Sequence, residues 1–478
     1  MTVIGPVPFY TEERVALYLG DCVSVMAAMP EQSVDAVVTD PPYGLEFMGK
    51  EWDHLGGGRT SHPGIGERPT AWPNSRGWND RRCSHCGHLS HGGSPCGCGK
   101  GLMVAADDRW AKMQMWHLAW AHQAFRVLKP GSHLLAFGGS RTHHRLACAL
   151  EDAGFEIRDC LMWLYGSGFP KSLDVSKAMD KAAGAERNIV GKSRFSSANR
   201  IASSWQAADE SPHGMVGNVE GERFITASAT DAAKQWDGWG TALKPAWEPI
   251  ILARKPLSEP TIAANVLKWG TGALNIDGCR IGQHNYSPEE WKAKGLARVT
   301  GNTYGKHKPS ATSLPLGRWP ANVVLSHTGR CELVETIWRC ASGCPVRLLD
   351  EQSGALRARG NKTPTKRGKS ISTSFLSDGE SPTDFGDSGG ASRFFYTAKA
   401  DQEDRDGSRH PTVKPTDLMA WLVRLVTPPG GVVLDPFLGS GPTAWAAREY
   451  ELQVVGIELD KTYLEDAVRR LRQQVLLL

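Results

Sequence analysis

Thr39-Asp40-Pro41-Pro42-Tyr43-Gly44 closes the apolar run Val34-Asp35-Ala36-Val37-Val38, which reads as a short buried strand. Two consecutive prolines end the ladder and force a rigid extended turn, so the Asp40 carboxylate and the proline carbonyls are held at the strand's carboxyl end. Open α/β sheets bind their ligands at that edge. A carboxylate, a proline carbonyl and an aromatic ring together accept hydrogen bonds from an amino group while stacking on a flat ring. The guest that fits is a nucleobase with an exocyclic amine.

Upstream of this turn lie a strand (Val15 to Leu19), Gly20-Asp21 and a short helix ending at Met29-Pro30, which completes one α/β unit. Downstream, residues 45–109 are rich in Gly, Pro, Ser, His and Arg without periodicity and read as an insertion. Regular patterning resumes with a helix from Trp110 to Leu128, stopped by Lys129-Pro130-Gly131. A strand from His133 to Phe137, a helix from Thr142 to Ala153 and a strand from Glu156 to Tyr165 follow. The stretch from 172 to about 330 is polar and rich in tryptophan. Its clearest strand is Pro249 to Arg254, and its tryptophans read as core rather than as base wedges. In the last part, a helix from Thr416 to Val426 leads to the strand Val432-Val433-Leu434-Asp435. The loop Pro436-Phe437-Leu438-Gly439-Ser440-Gly441, a helix with Pro442 at its first position, and a strand ending at Glu458 come next. Thr462 and Glu465 suggest a capping box for the final helix.

The loop after Asp435 is informative because of its acid. Glycines let backbone N–H groups and a helix N-terminus approach a ligand closely. A carboxylate there repels a pyrophosphate but suits a cationic amino group, such as the methionine end of S-adenosylmethionine. Glu458, ending the next strand, occupies a place where carboxylates commonly take ribose hydroxyls.

Taken together, Gly20-Asp21, Asp40-Pro41-Pro42-Tyr43-Gly44, His410-Pro411-Thr412-x-Lys414-Pro415 and Leu434-Asp435-Pro436-Phe437-x-Gly439-Ser440-Gly441 resemble the β-class amino-methyltransferases of DNA. In that family the catalytic motif precedes the target-recognition region and the cofactor loop comes last. The likeness covers residues 15–44, 110–180 and 394–470, and the long insertions resemble those of phage and prophage methylases. It implies an α/β, Rossmann-like S-adenosylmethionine-dependent methyltransferase with circularly permuted motif order and large irregular insertions. Residues 12–44, 110–181 and 394–478 would then form the catalytic domain, the last part binding cofactor. Residues 45–109 would be a Cys-rich insertion, and 182–393 a target-recognition region with a basic loop at 354–372.

The resemblance also assigns roles. Asp40, Pro41, Pro42 and Tyr43 are the catalytic set: Asp40 and the Pro41 carbonyl take the amine's hydrogens, and Tyr43 stacks on the base. Asp435, Pro436, Phe437, Gly439 and Gly441 line S-adenosylmethionine, Glu458 holds its ribose, Asp21 lies near its adenine, and Thr412, Lys414 and Pro415 flank its methionine part. Leu438 stands where alanine is common and Pro442 where threonine is. The expected activity is methylation of N6 of a flipped adenine in double-stranded DNA, with N4 of cytosine as the alternative. Asp40 leans toward adenine, since N4-cytosine members more often begin the turn with serine. Protein-glutamine methyltransferases share the fold but place the cofactor loop first and use asparagine in place of Asp40. A catalytically inactive, zinc-bearing DNA-binding protein is disfavoured by the intact Asp40, Tyr43, Asp435 and Glu458. Methylation at cytosine C5 needs a cysteine nucleophile, and the one Pro-Cys pair, Pro95-Cys96, lies in the insertion.

Composition bounds the rest. The 478 residues carry 55 Lys plus Arg against 51 Asp plus Glu, so any surface for a polyanion must be local. The run Arg357, Arg359, Lys362, Lys366, Arg367 and Lys369 contains no acid and is the predicted phosphate-contacting segment. Eleven cysteines, an odd number, favour reduced thiols or metal over disulfides. Cys83-x2-Cys86 with Cys96-x-Cys98 predicts structural zinc. The second cluster, His327, Cys331, Cys340 and Cys344, has less usual spacing, so zinc and buried thiols both remain open for it. No apolar run reaches membrane-spanning length, and a soluble, cytoplasmic chain is expected.

Overall fold

The computed structural model describes residues 6–44, 81–83, 89–90, 103–105, 108–166, 168, 172–192, 224–281, 318–328, 330–334, 337–357, 388–399, 408 and 413–473. Two compact units emerge: residues 1–166 with 247–478, and Ser167–Ala246.

The larger unit is built on one ten-stranded sheet. Its strands, numbered along the chain, are β1 Tyr10–Glu12, β2 Val15–Leu19, β3 Val34–Thr39, β4 Leu128–Phe137, β5 Glu156–Leu164, β6 Trp247–Arg254, β7 Val323–His327, β8 Tyr396–Lys399, β9 Val432–Asp435 and β10 Gln453–Glu458. Across the sheet they run β1-β2-β10-β9-β3-β4-β6-β5-β7-β8. From β2 to β4 every pairing is parallel. β6 is antiparallel to both its neighbours, β4 and β5, and β7 and β8 are again parallel.

The sequence explains the layers. Strands buried on both faces read as continuous apolar runs, and alternate residues face opposite ways. Val15 and Leu17 thus join a core with the helices Thr416–Val426, Pro442–Glu449 and Lys461–Gln473. Ala16 and Tyr18 join a second core with the helices Cys22–Ala27, Asp108–Val127 and His143–Asp152. Every residue from Leu418 to Val426 is buried, so that helix lies within the protein and not upon it. Each such leucine contributes about 1.5–3 kcal/mol by leaving water. The one cation among them, Arg424, donates to the Tyr450 hydroxyl at 2.8 Å.

Local differences from the sequence reading have physical causes. β4 begins at Leu128, running through the expected stop at Lys129-Pro130-Gly131, because a register shift against β3 absorbs those residues. The Pro130 carbonyl is taken by Asn265 Nδ2 (2.8 Å) and Thr271 Oγ1 (2.6 Å). The cap of the last helix is Asp460, whose carboxylate accepts from Thr462 N at 2.7 Å, and not Thr462 itself. Trp236, Trp239 and Trp319 are exposed, contrary to their reading as core. Among the described residues no helix is long and apolar enough to cross a membrane.

The smaller unit holds the helices Val175–Ala182 and Asp231–Gln235 and a short antiparallel ladder, Ile189–Lys192 with Phe224–Thr226. Its anchor is the buried Asp180, which accepts from Ala229 N, Thr230 N and Thr230 Oγ1 and pairs with Arg187 at 2.6 Å. Burial works against its charge, but those donors prevail and hold its carboxyl down at about 2.

Candidate active site

Four parallel strands end in a row at the sheet's carboxyl edge. β2 ends at Leu19 before Gly20-Asp21, β10 at Glu458, β9 at Asp435, and β3 at Thr39 before Asp40. The separate motifs converge because parallel strands must all point their carboxyl ends one way.

Asp435 is fully buried. One carboxylate oxygen accepts from Thr39 Oγ1 (2.7 Å) and Phe437 N (3.1 Å), and the other from Thr443 Oγ1 (2.5 Å). Burial raises its pKa to about 6, although those hydrogen bonds pull the other way. The acid therefore ties the residue before Asp40 to the loop that follows β9. In that loop Gly439 and Gly441 adopt φ of +56° and +82°, a region costly for other residues. A Cβ on Gly441 would sit 2.8 Å from that of Ala467. Leu438 is buried against Gly456 and takes the space a side chain there would need. Pro442 occupies the first helical position, as expected. Phe437 packs between Trp116 and Trp120, each ring 5.5 Å away. Ser440 Oγ is buried with no hydrogen-bond partner.

Glu458 accepts from Gly439 N at 2.7 Å and from Asp460 N at 2.8 Å, and burial pushes its pKa up to about 7 against those bonds. Asp21 caps the helix Cys22–Ala27 by accepting from Ser24 N at 2.9 Å.

Asp40 has different company. Its Oδ1 accepts from the Tyr43 hydroxyl at 2.9 Å, and its Oδ2 lies 3.0 Å from Lys414 Nζ. Lys414 also reaches Glu248 Oε2 at 2.9 Å, to which Tyr43 OH lies equally close. Phe137 and Tyr43 wall the ammonium at 4.8 and 5.4 Å from their ring centroids. Burial disfavours the lysine charge, yet Asp40 and Glu248 outweigh it and raise its pKa. The Asp40 pKa is also raised, by burial first, with Lys414 opposing and Glu248 reinforcing. Two carboxylates around one ammonium leave the cluster with one net negative charge. Burial and the two carboxylates likewise push the Tyr43 hydroxyl well above its ordinary range, so it stays a donor.

Lys414 was expected beside a methionine moiety, and the structure places its ammonium on Asp40. Glu248 was not anticipated at all. It is the second residue of β6, and because β6 is antiparallel, its first residues lie at the carboxyl edge of its neighbours. An acid opening the clearest middle strand was the visible signal, but strand direction is not written in a periodicity. Pro415 directly precedes the helix Thr416–Val426. Thr412 and the cysteines Cys86, Cys96 and Cys98 lie outside the described residues, as do Arg359, Lys362, Lys366, Arg367 and Lys369. Cys83 and Arg357 are described as backbone in the short strands Arg81–Cys83 and Leu356–Arg357.

The family model N6_N4_Mtase, a DNA methylase, matches residues 34–469. The chain is 22% identical over 457 residues to the type II methyltransferase M.HindIII of Haemophilus influenzae, covering 95% of this chain and 94% of that one. It is 37% identical over 78 residues to the type II methyltransferase M.ScaI of Streptomyces caespitosus, 16% of this chain and 26% of the relative. Among solved structures, the PvuII DNA methyltransferase (cytosine-N4-specific) aligns with 98% of this chain and 90% of its own at 13% identity, with a TM-score of 0.38.

Proposed function

Because the chain belongs to the N6/N4 DNA methylase family, we propose that it methylates N6 of an adenine flipped out of double-stranded DNA at a specific site. S-adenosylmethionine supplies an electrophilic sulfonium methyl. The observation that carries the reading is the part-buried cluster of Asp40, Tyr43 and Glu248 around the buried Lys414, joined through Thr39 and Asp435 to a glycine loop.

The loop residues fit the donor. Positive-φ glycines allow close backbone approach, Ser440 offers an unpartnered buried hydroxyl, and Glu458, at a strand end and bonded to Gly439 N, would take ribose hydroxyls. Asp435, Pro436, Phe437, Gly439 and Gly441 would line the donor and Asp21 would lie near its adenine.

At the other end of the site an amine conjugated with its ring is a poor nucleophile. Asp40 and the Pro41 carbonyl accept its hydrogens and localise the lone pair on nitrogen. As the N–C bond forms and the C–S pair returns to sulfur, nitrogen becomes positive, and the cluster's net negative charge stabilises it. Asp40, with its raised pKa, takes the proton that nitrogen sheds. Tyr43, its hydroxyl fixed by Asp40 and Glu248, stacks on the flipped base for about 1–3 kcal/mol. The basic run Arg357 to Lys369 would contact phosphates, and Cys83, Cys86, Cys96 and Cys98 would hold a structural zinc.

Asp40 at the head of the turn supports adenine. Incubating the protein with isotope-labelled S-adenosylmethionine and unmethylated DNA, followed by nucleoside mass spectrometry, tests this. Labelled N6-methyladenine is expected. Labelled N4-methylcytosine would replace adenine by cytosine and keep the amine chemistry, whereas cofactor binding with no transfer to any DNA would overturn the enzyme reading.

A further inference from the structure

His327, Cys331, Cys340 and Cys344 lie outside the Asp40 cluster, beyond β5 on the same carboxyl edge of the sheet, and they converge. One ligand atom from each, a nitrogen and three sulfurs, all lie within 4.8 Å of one another. Local folding brings them there. His327 ends β7. The strands Glu332–Val334 and Ile337–Arg339 form a hairpin in which Glu332 faces Arg339, so Cys331 and Cys340 are the next facing positions beyond its open end. A turn closed by Cys344 N on Ala341 O, at 3.2 Å, then carries Cys344 to the start of the helix Pro345–Ser353.

The spacing of these atoms is diagnostic. His327 Nδ1 lies 3.4 Å from Cys340 Sγ and 3.5 Å from Cys344 Sγ. Tetrahedral zinc, with Zn–S of about 2.3 Å and Zn–N of about 2.0 Å, separates a nitrogen from a sulfur ligand by about 3.5 Å. A single imidazole nitrogen makes one good hydrogen bond, so two thiols at equal distance are better explained by a shared ion. The outer contacts suit thiolates too. Cys331 Sγ is met by Ala341 N at 3.4 Å and by Thr328 Oγ1 at 3.2 Å. Trp338 stacks on the His327 ring, centroids 4.2 Å apart, and fixes its plane. Cys331 and Cys344 are fully buried in a small cluster with Leu325 and Val346.

We propose that these four residues bind one zinc ion as a closed Cys3His centre. Four protein ligands leave no position for water, so the ion is structural. It pins the hairpin and the helix Pro345–Ser353 to the end of β7.

Zinc content of the purified full-length protein, measured by plasma mass spectrometry, tests this. The Cys340→Ser/Cys344→Ser chain should carry one zinc fewer than wild type, and Cys83→Ser/Cys86→Ser should keep the ion assigned here. Equal zinc in wild type and Cys340→Ser/Cys344→Ser overturns the proposal. Since a misfolded variant sheds metal for another reason, the native wild-type chain supplies the second readout. Alkylation of Cys340 by N-ethylmaleimide, mapped by mass spectrometry, should be slow without chelator and rapid with it. Equal rates in both, or a disulfide among the three cysteines, would reject the site.

Discussion

Asp40 and Asp435 end paired strands, β3 and β9, each closing an apolar run and each followed by proline, yet their surroundings differ in kind. Asp435 meets only neutral donors, two threonine hydroxyls and one backbone N–H, and is sealed from water. Asp40 is partly open and faces a lysine, a tyrosine hydroxyl and a second carboxylate. Neutral hydrogen bonds brace a carboxylate in place. A cation shared with another acid leaves one whose charge and proton affinity respond to a guest. Two near-identical sequence contexts thus acquire different electrostatic surroundings through partners supplied from far along the chain.

Removing the carboxylate from the responsive side should have the largest effect. Asp40→Ala is expected to lower methyl transfer at least about a thousandfold while S-adenosylmethionine affinity, followed by calorimetry, stays near wild type. Loss of cofactor binding in that variant would mean the two aspartates do not divide the work. Next comes Glu248→Gln, which makes the cluster neutral and should cut turnover by about 10- to 100-fold with little change in cofactor affinity. Unchanged turnover would reduce Glu248 to a packing residue.

A smaller effect belongs to pH. Folded Glu458 keeps its proton up to about pH 7, whereas the unfolded chain releases it near its ordinary value. The group therefore costs stability progressively as pH rises between those values, and no more above the folded value. On the proposed role of Glu458, ribose hydroxyls favour its ionised form, so S-adenosylmethionine should bind more weakly as pH falls below 7, by up to about tenfold per unit. Glu458→Gln should flatten that profile, and a slope that persists in the variant would assign it elsewhere. The mildest change is Thr39→Val, which removes one hydrogen bond from Asp435. It should cost about 1–3 kcal/mol in denaturant unfolding and slow turnover a fewfold; an unaltered rate would show that the brace does not position Asp40.

Much of the braced side was legible. β2, β9 and the helix Thr416–Val426 fall where apolar runs, prolines and glycines put them, because buried parallel strands and capped helices write their boundaries locally. Glu458 and Asp435 could be placed at strand ends for the same reason. The responsive side was half hidden. Asp40 and Tyr43 stood out, but Glu248 depends on β6 running backwards, and the reach of Lys414 to Asp40 depends on a contact across more than 370 residues. The convergence of His327 with three cysteines likewise needed a hairpin and a helix start that spacing alone does not encode.

The bond from Thr39 to Asp435 spans 396 positions. At about 5–20 residues per second of synthesis, β3 emerges some 20 to 80 seconds before the strand that must cover its flank. During that interval the Asp-Pro-Pro-Tyr turn exists without the loop proposed to hold the methyl donor. Any chain cut short before Val432 would carry the Asp-Pro-Pro-Tyr motif beside an open strand edge, a surface prone to aberrant pairing rather than to chemistry. The permuted order thus makes completeness of translation a condition for competence.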